Sequence, residues 1–435
     1  MSSHPATPVT PAAQTASPPP TKSDRANVVK LGWVSLFNDA ASEMLYPIMP
    51  LFITATLGAT PLVLGIIDGC AEGVSSALRW IGGTLSDRFA RRKPFVLIGY
   101  ALSALSKPVM GLSAMVLGWP LFFVGRCADR MGKSVRNAAR DALLAASADP
   151  AQRGRAFGFQ RAMDTCGAVL GPLVTLAVLV YLAGYSKIFS QHGVYTQTPA
   201  WLKDIPLKWL YFFALIPGAL AVACVAWVHE IRPRQGDPSK TGGKPPPIFQ
   251  PFPRPMWQLA LAGFVFSLGN SSDLFLIFRS SQLGLSLGAV VLVYVGYNMI
   301  YAAASQPLGR LSDKIGRKPL LIAGWAVYAI VYLGFAFART SWAPLLLLGI
   351  YGFYQALTDG ATGALIADVV PDAKRAGAVG LYNTATGLAV VIASFVAGDL
   401  IWHQHPTIAF SIGALCALAA IPLMALVKPP AQRHA

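Results

Sequence analysis

The feature that most constrains this chain is a short phrase that occurs twice. It reads Gly83-Thr-Leu-Ser-Asp87-Arg88-Phe-Ala-Arg91-Arg92-Lys93-Pro94 in the first half and Gly309-Arg-Leu-Ser-Asp313-Lys314-Ile-Gly316-Arg317-Lys318-Pro319 in the second. Gly, Leu-Ser-Asp, a basic cluster and a closing Pro recur in the same order, and each copy lies between two long apolar runs. A repeat half a chain apart, bracketed both times by segments long enough to cross a bilayer, implies two homologous membrane halves joined in one polypeptide.

Composition agrees. Of 435 residues, 54% are hydrophobic and only 12% charged, against about 25% charged in a soluble domain. Twelve mainly apolar stretches reach the roughly 20 residues a span needs, the first at 30–57 and the last at 406–427. The expected division is a disordered tail over 1–29, a six-span bundle over 30–230, a Pro-, Gly- and Lys-rich linker over 231–255, a second six-span bundle over 256–428 and a tail over 429–435. The first tail lacks the apolar core of a signal peptide.

The net charge is +16, from 35 basic and 19 acidic residues. A basic excess ordinarily raises nucleic acid as a partner. Here the Lys and Arg residues cluster in loops on one side of the membrane, so no nucleic acid is expected. The same asymmetry puts both termini and the linker in the cytoplasm of a multi-pass inner-membrane protein. Cys70, Cys127, Cys166, Cys224 and Cys416 all fall inside apolar runs without metal spacing and read as small packing residues. No cofactor or metal is expected. No phosphate-cradling Gly-x-x-x-x-Gly-Lys-Ser/Thr loop appears, and His192, His229, His403 and His405 sit at span ends or in loops, so an enzyme is not expected.

Ionisable residues within spans are costly and mark pathways or pairs. Span one has Asp39 and Glu43, and span two has Asp68 and Glu72, both at i, i+4. Span four has Arg126, Asp129 and Arg130; span five has Arg161 and Asp164; Asp273 and Asp359 lie in spans seven and ten. These are the expected substrate and proton pathway, although Arg126 and Asp129 equally suit an internal structural pair. Asn270, Tyr297, Asn298 and Asn383 add a surface suited to an amphipathic organic ligand, with helix-to-helix bonding as the alternative.

The doubled phrase resembles the loop signature of the major facilitator superfamily, Gly-x-x-x-Asp-Arg-x-Gly-Arg-Arg, which that family places between helices two and three and between eight and nine. The first copy departs at Ala90 and the second at Lys314. The resemblance implies an all-α membrane protein with twelve transmembrane helices in two pseudo-symmetric six-helix bundles. In that fold helices three, six, nine and twelve are peripheral and the other eight line a central cavity. The intramembrane charges fall almost wholly on those eight, with Lys107 in span three the main exception. By resemblance, Gly83, Asp87, Arg88, Arg91 and Arg92, with Gly309, Asp313, Gly316 and Arg317, form conformational latches. Asp87 would face the start of helix eleven near Arg375–Gly380, where free N–H groups favour a carboxylate. A pure topology signal is the alternative.

Gly167-Ala-Val-Leu-Gly171-Pro172 resembles an exporter signature in helix five, where Gly and Pro allow a bend; plain close packing is the alternative. Together these features predict a monomeric secondary active transporter that moves a small organic solute by alternating access. Proton coupling and export are favoured; uptake on the same fold and a non-transporting sensor are the other readings. The expected partners are a small-molecule substrate, protons and the lipid bilayer.

Overall fold

The computed structural model describes residues 22–89, 92–148, 153–190, 201, 205–230, 252–371 and 374–427. Most of the expected tails and of the 231–255 linker lies outside the described residues. Among the described residues twelve spans follow in order, besides a short helix Tyr185–Ser190: α1 Lys22–Glu43, α2 Pro61–Phe89, α3 Lys93–Leu112, α4 Trp119–Ser147 and α5 Arg153–Ala183. Then come α6 in two pieces, Lys208–Phe213 and Leu215–Ala226, and α7 in two pieces, Arg254–Gly269 and Leu274–Gln282. The series closes with α8 Leu287–Ile315, α9 Arg317–Phe337, α10 Ala343–Val369, α11 Arg375–Trp402 and α12 Pro406–Leu426.

Among the described residues, nine of these helices are long and apolar enough to cross a membrane by those criteria alone. The three that fall short, α1, α4 and α10, carry polar residues along their length, including Asp39 and Glu43, Arg126 to Lys133, and Gln355 and Asp359. Membrane exposure is legible at the periphery. Leu105 on α3, Ile216 on α6, Ile330 on α9 and Leu415 on α12 are 60%, 59%, 61% and 61% exposed, which only lipid tolerates in such number.

Local sequence explains the irregular pieces. Past Glu43 the first span continues as a 3-10 turn Tyr46–Ile48, a short α turn Met49–Leu51 and a π turn Phe52–Thr56. Pro47 and Pro50 each withhold a backbone donor there, so a regular ladder cannot form. At the other end of α8, Gly316 sits at φ +93 with its N–H on the Ser312 carbonyl at 3.0 Å, and α9 starts at the next residue. Only glycine takes that conformation without strain.

The halves α1–α6 and α7–α12 meet along α2 against α11 and α5 against α8. A pseudo-two-fold that carries α2 onto α8 also carries α11 onto α5, so the two seams are symmetry mates. Small residues set the first seam. A Cβ built on Gly65 would lie 2.2 Å from the Ser394 carbonyl oxygen, and one on Gly387 would lie 2.3 Å from Ser76 Cβ. Backbones approach this closely only where a side chain is missing.

The repeated phrase has a matching structure in each half. Arg92 Nη1 donates to the Ala142 carbonyl on α4 at 2.9 Å, and Arg317 Nη1 donates to the Ala364 carbonyl on α10 at 2.9 Å. Arg317 also pairs with Asp368. Lys93 Nζ reaches the Ala226 carbonyl at the end of α6 at 2.7 Å; Lys318 Nζ reaches the Ala425 and Val427 carbonyls at the end of α12 at 2.5 and 2.7 Å. A cation on the last carbonyls of a helix satisfies orphan acceptors and its dipole. Glu230 completes the first copy, accepting from the N–H groups of Arg92 and Lys93 at 3.0 and 2.8 Å.

In this conformer the bonds of Arg92 and Arg317 tie helices within one half. Gly309 makes no close approach: a Cβ there would meet nothing within 4 Å. The side chains of Asp87, Arg88 and Asp313, the surroundings of Gly83, and all of Arg91 lie outside the described residues.

Candidate functional site

A cavity of about 610 Å³ lies between the halves, walled by α2 and α4 on one side and α7, α10 and α11 on the other. It runs from Asp68, Asp273 and Tyr351 to Ile366 and Val379, within about a turn of the ends of α10 and α11 that face the chain termini. At the opposite end the halves are in close contact. There the α2–α11 seam closes one side, and Phe189 covers α8, its ring 2.5 Å from a Cβ built on Gly288. Tyr46 stacks on Tyr294 at 5.4 Å between ring centres.

The floor is built by the break in α7. Asn270, Ser271, Ser272 and Asp273 interrupt the helix, and Tyr328 donates to the freed Gly269 carbonyl at 2.8 Å. Unwound backbone is tolerated at membrane depth where it lines a cavity or is bonded to neighbours. Ser272 Oγ accepts from the Leu274 N–H at 3.2 Å and donates to Asp68 Oδ2 across the half boundary at 2.5 Å. Asp68 Oδ1 accepts from Arg126 Nη2 and Nε at 2.6 and 3.0 Å. Asp68 and Arg126 are both buried, so each relieves the desolvation cost of the other.

The carboxylates of the wall are matched in turn. Glu72 faces Arg130 at 3.5 Å. Arg161 on α5 crosses the boundary to Asp359 on α10 at 2.6 Å and also bonds Tyr301 on α8, which donates to Asp359 at 2.5 Å. Glu43 accepts from Tyr294 on α8 at 2.6 Å, a third cross-half contact. Asp273 accepts from Tyr351 at 2.6 Å. Asn270 and Asn383 line the same cavity.

A second, smaller hollow of about 140 Å³ between α1, α5 and α8 gathers Asp39, Glu43, Arg161, Asp164, Asn298 and Tyr301. Asp39 accepts from Asn38 at 2.9 Å, and Asp164 accepts from Gln160, itself bonded to Ser35, at 2.6 Å. Asn298 donates to the Tyr294 carbonyl at 3.0 Å. Tyr297 packs its ring between those of Tyr294 and Tyr351, at 5.7 Å from each, behind the cavity wall.

One expected pathway residue faces elsewhere. Asp129 points into the α3–α4 interface, accepting from Ser103 Oγ at 2.5 Å and Lys107 Nζ at 3.3 Å, with Arg126 at 3.7 Å. Lys107 is buried, so this is an internal ion-pair network and not cavity lining. In helix five, Gly167 and Gly171 seat α5 on α1: built Cβ atoms would lie 2.4 Å from the Leu36 carbonyl oxygen and 2.6 Å from that of Ala40. The helix continues through Pro172 to Ala183. In this conformer the glycines let α5 pack closely on α1.

Ser272, Tyr351, Phe266, Trp325 and Gln355 are among the lining residues that sequence reasoning missed. A signal for the first existed: four consecutive polar residues, Asn270 to Asp273, inside an apolar span mark a broken helix.

The family model described as Major Facilitator Superfamily matches residues 31–295 and 259–435. The chain belongs to the major facilitator superfamily. An uncharacterized MFS-type transporter of Methanocaldococcus jannaschii is 35% identical over 398 residues, 90% of this chain and 92% of that protein. The multidrug resistance protein MdtH of an Enterobacter species is 29% identical over 140 residues, 32% of this chain and 33% of that one. The solved nucleoside transporter NupG superposes with a TM-score of 0.72 at 12% identity, covering 92% of this chain and 100% of that one, and so shares the fold. As a superfamily member the chain is a multi-pass membrane transporter and not an enzyme.

Proposed function

We propose that this superfamily member is a monomeric, proton-coupled secondary transporter that moves a small organic solute across the inner membrane by alternating access, with export the favoured direction. The observation that carries the reading is the chamber between two pseudo-symmetric halves, which reaches toward the ends of α10 and α11 while α2 and α11 interlock beside it. With Lys and Arg marking the cytoplasmic side, those helix ends are cytoplasmic and the conformer faces inward.

Coupling rests on where the carboxylates sit. Asp68, Glu43 and Asp359 each bond a partner in the other half. Rocking the halves removes those partners and changes hydration, and both changes alter a carboxylate's proton affinity. Asp39, Glu72 and Asp164 extend the proton path. Asp87, Arg88 and Arg91 remain the proposed latch. Export is supported by the Gly167–Pro172 signature and by the partial likeness to a multidrug resistance protein.

The test is flux in proteoliposomes under an imposed pH gradient, with a solute first found by thermal-shift screening. Gradient-driven accumulation should be lost in at least one of Glu43→Gln, Glu72→Gln and Asp164→Asn while solute exchange persists. Accumulation equal to the parent in all three would remove these carboxylates from the coupling. Ligand binding without any flux would favour the sensor.

A further inference from the structure

We propose that Asp273 and the aromatic wall beside it form a subsite for the ammonium group of a small amphipathic organic cation. The inference rests on the transport reading above and assigns its substrate class.

The first ground is charge bookkeeping in the chamber. Asp68 has Arg126, Glu72 has Arg130 and Asp359 has Arg161, at 2.6, 3.5 and 2.6 Å. Asp273 lines the same chamber but, among the described residues, forms no ion pair; its bond is the neutral Tyr351 hydroxyl at 2.6 Å. Asp273 is half-buried, and a carboxylate partly removed from water without a counter-charge carries a cost that a cation brought to it recovers. A carboxylate-bearing solute would add a like charge, and a neutral polyol would leave the existing one unbalanced.

The second ground is the aromatic lining of the same chamber, of which Tyr351 bonds the carboxylate directly. Phe266 and Trp325 stack at 4.8 Å with 7° between their planes, Tyr351 and Tyr354 lie 5.0 Å apart, and all four rings line the chamber. Aromatic faces attract ammonium groups and shed water around them. They also suit an apolar body attached to the cation. Asn270 and Gln355 complete the lining with amide groups that hydrogen-bond without adding charge. A cavity of about 610 Å³ falls in the range of small-ligand sites, roughly 300–1,000 Å³. The break in α7 holds Asp273 at the chamber floor, beside the Ser272–Asp68 bond that joins the halves. A ligand seated there touches the element that must part when the halves separate.

The experiment uses purified full-length protein in detergent and three matched probes: 4-phenylbutylammonium, 4-phenylbutanol and 4-phenylbutanoate. Binding is read by calorimetry and by quenching of tryptophan fluorescence. The ammonium should bind at least tenfold more tightly than the alcohol, and the carboxylate most weakly. Asp273→Asn should abolish the preference of ammonium over alcohol. Asp273→Glu should retain it, and so should Tyr351→Phe, which removes the hydroxyl but keeps the ring. Equal affinity for ammonium and alcohol in the parent, or a preference that survives Asp273→Asn, overturns the assignment. The three-probe comparison on the parent decides alone if the Asn variant unfolds. Because no gradient or vesicle is involved, loss of coupled flux in the preceding test leaves this result standing, and the reverse holds.

Discussion

Replacing Gly65 by Ala should push the protein out of the conformer described here. A Cβ at that position would lie 2.2 Å from the Ser394 carbonyl oxygen, 3.1 Å from the Ser394 carbonyl carbon and 3.1 Å from Phe275 Cζ. Carbon-to-oxygen contacts settle at about 3.3 Å or more, so α2 and α11 must separate by about 1 Å. Forcing a methylene into a packed interface costs about 1–3 kcal/mol. If the seam opens in the other state, the whole cost falls on this one. At about 1.4 kcal/mol per tenfold, the equilibrium moves about 5- to 150-fold toward opening at that end. The assay is a spin-label distance measurement between cysteines placed at Thr56 and His403, exposed positions near the first-half and second-half sides of the seam, in a background lacking the native cysteines. The longer-distance population should grow in Gly65→Ala and stay unchanged in Gly360→Ala, where a Cβ meets nothing within 4 Å. An unchanged distribution in a folded Gly65→Ala protein would refute the idea that the halves part along this seam.

Lys107→Met should destabilise the fold by about 1–3 kcal/mol, since buried Asp129 loses its ammonium partner and keeps only Ser103 and Arg126. Adding Asp129→Leu should recover much of the lost thermal stability, and a double variant no more stable than the single would contradict a structural role for the pair. A lone cysteine at Ser239 should resist an impermeant thiol reagent in intact cells; ready labelling would reverse the topology. Asp87→Asn should slow turnover in reconstituted vesicles while leaving ligand binding intact, with Asp313→Asn milder; normal turnover would remove Asp87 from the latch.

The architecture was open to sequence reading because it rests on strong, repeated physics. Apolar length fixes spans, and a loop phrase written twice exposes the internal repeat. The intramembrane carboxylates could be found for the same reason: Asp39, Asp68, Asp273 and Asp359 stand out against apolar neighbours. Their partners could not. Glu43 and Tyr294, or Asp68 and Ser272, are separated by most of a half or more of the chain, and helical periodicity says nothing about which faces two bundles present to each other. Asp129 shows the limit. It shares a helix face with Arg126 by spacing, yet α3 lies close enough to draw it toward Ser103 and Lys107. The closing Arg-Lys-Pro of the repeated phrase was legible as a motif. Most of its partners were not, because they are backbone carbonyls at the ends of α4, α6, α10 and α12, which carry no residue-specific signal.

Alternating access would open the chamber to each side of the membrane in turn. Gly363 lines the boundary between α10 and the chamber, is exposed, and has room for a side chain, with nothing within 4 Å of a built Cβ. A single cysteine placed there, in a background without native cysteines, can be challenged with an impermeant thiol reagent in intact cells and in inverted vesicles. Fast labelling in inverted vesicles and slower but complete labelling in intact cells, accelerated by Gly65→Ala, is the predicted result. Labelling from one side alone, with Gly65→Ala making no difference, would contradict alternating access.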